Sequence, residues 1–204
     1  MSRVEKETGR LEAFSDGVFA IAVTLLVLEL KVPHAVAGGE ISASALGQSL
    51  LREWPSYLAL VTSFFTVLIM WVHHHILFKL VRKADAKLLF ANGFLLLLVS
   101  VVPFPTAVVA EYLATPAAPA ACEFYADVFV LISIAFYVVM IAAVRESVCD
   151  PHAPPEKIRR FRRNYSLGPP SYFLAAVAAP FSPMLAMGIC TALWVFWAIT
   201  TGEC

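Results

Sequence analysis

The chain has 204 residues, 60% of them hydrophobic and 15% charged, with a mean hydropathy of +0.77. Soluble domains average roughly 45–50% apolar and 25% charged, so an ordinary water-soluble fold is excluded. Fifteen Lys and Arg balance fifteen Asp and Glu, which leaves no global charge bias toward nucleic acid.

An all-α polytopic membrane protein remains, because only helices that satisfy their own backbone amides, or closed barrels, cross a bilayer. A hydrocarbon core about 30 Å thick requires about 20 mostly apolar residues per helix. Six segments meet or approach that demand, at residues 14–32, 54–78, 88–110, 124–144, 167–181 and 184–200, and they are expected to form one transmembrane domain over residues 1–204. The fifth is the weakest, and Pro169 and Pro170 near its start point to a helix entrance or a kink. The stretch Pro180-Phe181-Ser182-Pro183 would turn the fifth and sixth segments into a hairpin.

The first segment begins Arg10-Leu-Glu-Ala-Phe14-Ser15-Asp16-Gly17 and ends at Leu28-Glu29, so acids bracket an uncharged centre. Asp16 is expected in the first turns of its helix, where the positive end of the helix dipole favours a carboxylate. It then serves either as an interfacial cap or as a functional group needing a partner inside the membrane. Steps of three and four place Gly17, Ile21, Thr24, Leu25 and Leu28 on one stripe. Copies of that stripe around an axis would form a narrow apolar ring of the kind that gates by dewetting. Ordinary helix packing or lipid contact gives the same periodicity, so the stripe by itself does not make a pore.

The second segment ends in Trp71-Val72-His73-His74-His75. Consecutive helical residues diverge by about 100°, so three adjacent histidines cannot chelate one ion, and a metal site is not expected. Instead His74 or His75, with the Trp71 indole, lies at the depth of Ser15 and Asp16 and can hydrogen-bond them. Asn92, at the inner start of the third segment, can join that network. Farther on, Cys122, Cys149, Cys190 and Cys204 show no metal or disulfide spacing. Asp150 to Pro155 opens a loop whose basic run, Lys157 to Arg163, is expected at the lipid headgroups.

Orientation follows from the positive residues, which accumulate in cytoplasmic loops. With the N-terminus inside, Arg3, Lys6, Arg10, Lys79, Arg82, Lys83, Lys87, Arg145, Lys157, Arg159, Arg160, Arg162 and Arg163 are internal, and only Lys31 and Arg52 are external. Both termini are then cytoplasmic. Glu29, Glu40, Glu53, Glu111, Glu123 and Asp127 fall outside or at the outer interface, an asymmetry that either favours approaching cations or only reflects the positive-inside rule.

The residues Arg10-x-x-x-Phe14-Ser15-Asp16-Gly17 resemble the RxxxFSDG signature of the transmembrane protein 175 family, potassium-permeable channels called lysosomal in animals and found as shorter homologues in prokaryotes. Ser63-Phe64, Trp71, His74-His75, Asn92 and Pro103-Phe104 extend the resemblance over roughly residues 10 to 105. It implies a prokaryotic cell-membrane protein in which four six-helix subunits surround one pathway lined by their first helices. Animal members carry two such repeats and dimerise, whereas no second FSDG-like segment occurs here. The resemblance places the constriction at Ile21, then Leu25 and Leu28, a selectivity-linked hydroxyl at Thr24 and an outer mouth at Glu29. Arg10, Phe14, Ser15, Asp16, Gly17, Trp71, His74, His75 and Asn92 become signature and scaffold. It implies no cofactor, potassium and other monovalent cations as permeants, membrane lipids as surroundings and no nucleic acid.

A secondary transporter or proton-coupled carrier is the main alternative, motivated by Asp16, Glu29 and the histidines. The unbroken centre of the first segment argues against it, since transporters favour interrupted helices at midplane. An enzyme is not expected, because no GxSxG or HExxH motif occurs. A purely structural or assembly role is the blandest reading.

Overall fold

The computed structural model describes residues 3–33, 42–145 and 147–201, with side chains from Thr8 to Thr200. Glu40, Cys204 and the side chains of Arg3 and Lys6 lie outside the described residues. The elements are helices α1 (Arg3–Leu25), α2 (Ala43–Arg52), α3 (Trp54–Phe78), α4 (Ala86–Val101), α5 (Pro103–Tyr112), α6 (Ala118–Ala143), α7 (Pro155–Ala178) and α8 (Pro183–Thr201), with a 3₁₀ turn over Leu26–Glu29 extending α1.

Among the described residues, five segments are long and apolar enough to cross a bilayer: Thr8–Glu29, Trp54–Phe78, Ala86–Tyr112, Ala118–Ala143 and Pro183–Thr200. The third is α4 and α5 in series, because Pro103 has no N–H to continue the ladder and starts a new helix at its first position. The α6 helix forms the centre. Its Tyr125, Phe129, Ile132, Val139 and Met140 are fully buried, and it packs against α4, α5, α7 and α8. It lies close to α7 at Gly168, where an added Cβ would come within 3.2 Å of the Ser133 Cβ. A hydroxyl cluster ties three helices in this interior: Ser63 of α3 lies 2.7 Å from Thr106 of α5 and 3.0 Å from the Tyr125 hydroxyl of α6.

Three expectations are corrected. The first helix starts at Arg3, so Asp16 lies about 20 Å along it at 1.5 Å per residue. The dipole of the first turn therefore does not stabilise its carboxylate. Pro169 and Pro170 mark no helix entrance; they lie inside α7, which begins at Pro155. The basic run Lys157 to Arg163 is accordingly the first half of that helix and not loop. A short helix, α2, occupies part of the segment between the first two spans, capped by the Ser42 hydroxyl accepting from the Ala45 amide at 3.2 Å.

At the basic end of the bundle, α4 is capped by Asp85, whose carboxylate accepts from the Leu88 amide at 2.9 Å and from Arg145 Nη2 at 2.8 and 2.7 Å. The Leu88 amide, followed by Arg145, holds the Asp85 carboxyl below the usual carboxylate range. Because the folded-state pKa is the lower one, this contribution is complete above the unfolded pKa of about 3.9 and is lost as pH falls through the folded value. Thermal unfolding of detergent-solubilised protein should thus show an acid-side loss of stability that is smaller in Asp85→Asn; identical acid limbs would remove this role for the cap.

Candidate pore-lining helix and its polar anchor

Two faces of α1 differ sharply. Leu11, Ser15, Phe19 and Ala22 are buried against α3 and α4, and Leu26 of the following turn is buried as well. Arg10, Phe14, Gly17, Ile21 and then Thr24 or Leu25 and Leu28 are related by steps of three and four on the exposed face, with Phe14 64%, Ile21 61% and Leu28 70% exposed. A Cβ added at Gly17 would meet nothing within 4 Å. The chain therefore keeps a continuous, mostly apolar stripe of α1 free of its own interior. Thr24 sits on this stripe with its hydroxyl donating to the Ile21 carbonyl at 2.9 Å, so its oxygen lone pairs remain available outward.

The buried face is fixed by a relay of polar groups. His74 Nε2 lies 2.8 Å from Asn92 Oδ1, Asn92 Nδ2 donates to the Ser15 hydroxyl at 2.9 Å, and Ser15 donates to the Leu11 carbonyl at 2.9 Å. Ser15, His74 and Asn92 are each at most 1% exposed. An amide oxygen only accepts, so His74 carries its proton on Nε2. Its ring is stacked on Phe78 at 4.1 Å and tilted against Phe19 at 5.4 Å. At the exposed edge the Trp71 indole donates to Asp16 at 2.8 Å, with His75 stacked on Trp71.

These contacts bring together Ser15, Asp16, Trp71, His74, His75 and Asn92, and leave Arg10, Phe14 and Gly17 of the same motif facing outward. The three consecutive histidines point to three neighbourhoods. His73 turns the opposite way, 3.2 Å from the Trp197 carbonyl and edge-on to the Tyr165 ring. Among the described residues no group of three His, Cys, Asp or Glu side chains could hold a metal ion. Sequence reasoning missed the Ser63–Thr106–Tyr125 cluster and the Lys31–Glu111 ion pair that joins the end of the first span to α5. Sharing of depth could have suggested the first, since all three polar residues interrupt apolar runs.

The family model described as the endosomal/lysosomal potassium channel TMEM175 matches residues 10–103. A potassium channel of Chamaesiphon minutus is 44% identical over 197 residues, covering 96% of this chain and 95% of that protein. This chain belongs to the TMEM175 family. A potassium channel of Streptomyces collinus is 42% identical over 180 residues, 85% of each chain. The human endosomal/lysosomal proton channel TMEM175 is 40% identical over 97 residues, 46% of this chain but 19% of that protein. In structure, the TMEM175 homologue of Chamaesiphon minutus, described as a lysosomal potassium-selective channel homologue, superposes with a TM-score of 0.86 at 43% identity, over 96% of this chain and 98% of that one. The TMEM175 match across residues 10–103 contains both the exposed stripe of α1 and the relay that anchors its other face.

Proposed function

We propose that this chain is a potassium-permeable channel in which four copies present the α1 stripe to a common axis. The observation that carries this reading is the division of α1: a buried face locked by Ser15, Asn92 and His74, and an apolar face that the protomer leaves exposed from Phe14 to Leu28. The high identity to named bacterial potassium channels supplies the ion class. In this reading Ile21, Leu25 and Leu28 form the constriction. Thr24 turns its oxygen toward the pathway or a neighbouring subunit, and Glu29 marks the outer mouth. Ions pass when the apolar rings widen enough to hold water, since a narrow apolar ring empties spontaneously. No TVGYG-like carbonyl filter occurs in the sequence, so potassium preference arises by another route, to which this reading links the Thr24 hydroxyl.

The positive-inside count sets both termini in the cytoplasm of a prokaryotic cell whose plasma membrane holds the channel. Native mass spectrometry of the purified protein should give four copies, and proteoliposomes should pass potassium in discrete single-channel steps. A monomer, or saturable flux coupled to another ion without such steps, would overturn the proposal.

A further inference from the structure

The first half of α7 is unexplained by the pore. Lys157, Arg159, Arg160, Arg162 and Arg163 crowd two turns of that helix, and like charges three and four residues apart on one helix repel. Arg159, Arg162 and Arg163 are exposed, and none of them forms an ion pair among the described residues. A counter-charge from outside the chain is therefore called for.

The position of this cluster says where it comes from. Tyr165, one turn farther along α7, packs edge-on to His73 of α3, and His73 packs edge-on to Trp197 of α8. Those two helices end at Phe78 and Thr201, so the arginines lie level with the ends of neighbouring spans, at the membrane boundary. From there the same exposed face of α7 continues through Leu167, Pro170, Phe173, Leu174 and Val177, while Phe161, Asn164, Gly168 and Tyr172 face the bundle. Leu167 to Val177 covers about 15 Å at 1.5 Å per residue, the depth of one leaflet of a core about 30 Å thick. One uninterrupted helix face thus presents guanidinium groups at headgroup level and an apolar track one acyl chain deep.

We propose that this face binds an anionic phospholipid, its phosphate held by Arg159, Arg162 and Arg163 and an acyl chain lying along Leu167, Phe173 and Leu174. Guanidinium groups suit phosphate because their planar donors match its oxygens in pairs. A second protein copy fits less well, because a subunit interface would have to bury three unpaired arginines. The inference rests on the membrane reading of the fold but not on ion conduction, and the inside-N orientation only assigns it to the cytoplasmic leaflet.

The test is lipid binding by native mass spectrometry of the delipidated full-length protein, titrated with phosphatidylglycerol or phosphatidylcholine of equal chain length. Wild type should retain phosphatidylglycerol at least several-fold better, and the preference should fade as salt rises. The Arg159→Gln/Arg162→Gln/Arg163→Gln protein should bind both lipids alike, and an Arg→Lys triple variant should keep part of the preference. Soluble glycerol phosphate should not compete. Equal binding of the two lipids by wild type would overturn the site, as would an undiminished preference in the Gln variant. Competition by glycerol phosphate would assign the arginines to a free phosphate instead. A changed copy number with unchanged lipid selectivity would assign the face to a second subunit. Loss of conduction leaves all these readouts intact, so failure of the channel reading and failure of this one are separable.

Discussion

Replacing Ile21 with Asn should raise single-channel conductance about tenfold and weaken potassium-over-sodium discrimination, because a drop of about 1.4 kcal/mol in a barrier is a factor of ten in rate. The barrier at this point is the cost of holding a hydrated cation in an apolar ring, and amide groups replace part of the water that the ring expels. Ile21 is suited to the test because it is 61% exposed in the protomer, so the substitution disturbs little packing among the described residues. Ile134→Asn on α6, also an exposed apolar position, should leave conductance per channel unchanged whatever it does to yield. Planar-bilayer recordings read both. An Ile21→Asn conductance and selectivity equal to wild type would remove α1 from the pathway.

Asn92→Leu is expected to destabilise the protein by about 2–4 kcal/mol, the largest effect of any single change in the polar anchor. Leu has nearly the same volume, so little of this comes from a cavity. The cost arises because the buried N–H of His74 loses its acceptor, which by itself costs about 1–3 kcal/mol, and two net-favourable hydrogen bonds disappear. Ser15 still donates to the Leu11 carbonyl, so it is not orphaned. Adding His74→Phe to Asn92→Leu should recover part of the loss, since removing both partners costs less than removing one. Phe also suits the place of a ring already stacked on Phe78. Chemical denaturation in detergent, together with the fraction of assembled oligomer, measures both variants. A double variant no more stable than Asn92→Leu would show that the relay is not the source of the effect. Asp16→Ala should cost less, because the carboxylate's one described hydrogen bond, from Trp71, lies at the exposed edge.

How much of this was readable beforehand differs from residue to residue. The sequence marks the second span at residues 54–78, the bounds of α3, because a bilayer-length apolar run between a Pro-bearing start and a basic end leaves little freedom. The partners of the anchor were also readable as a set, because Ser15, Trp71, His74 and Asn92 fall at one depth once the spans and their alternating directions are known. Their wiring was not. Depth is a one-dimensional quantity, whereas the insertion of Asn92 between Ser15 and His74 depends on how α4 is rotated and how closely it approaches α1 and α3.

The same distinction explains the errors. Apolar length says where a helix crosses hydrocarbon but not where it stops, so α1 extends to Arg3 and α7 to Pro155, each through polar sequence. Such extensions are stabilised by backbone hydrogen bonding and by neighbours such as Phe161 packed on Tyr165, which leave no hydropathy signal. The amino-acid sequence alone therefore determined the membrane class, most of the long apolar helices and the existence of an apolar stripe from Gly17 to Leu28. Only the tertiary structure decided which face of α1 is buried, because the stripe and its opposite face are comparably apolar. What distinguishes them is that Ser15, Phe19 and Ala22 are buried against α3 and α4, whereas Ile21 and Leu28 stay exposed among the described residues.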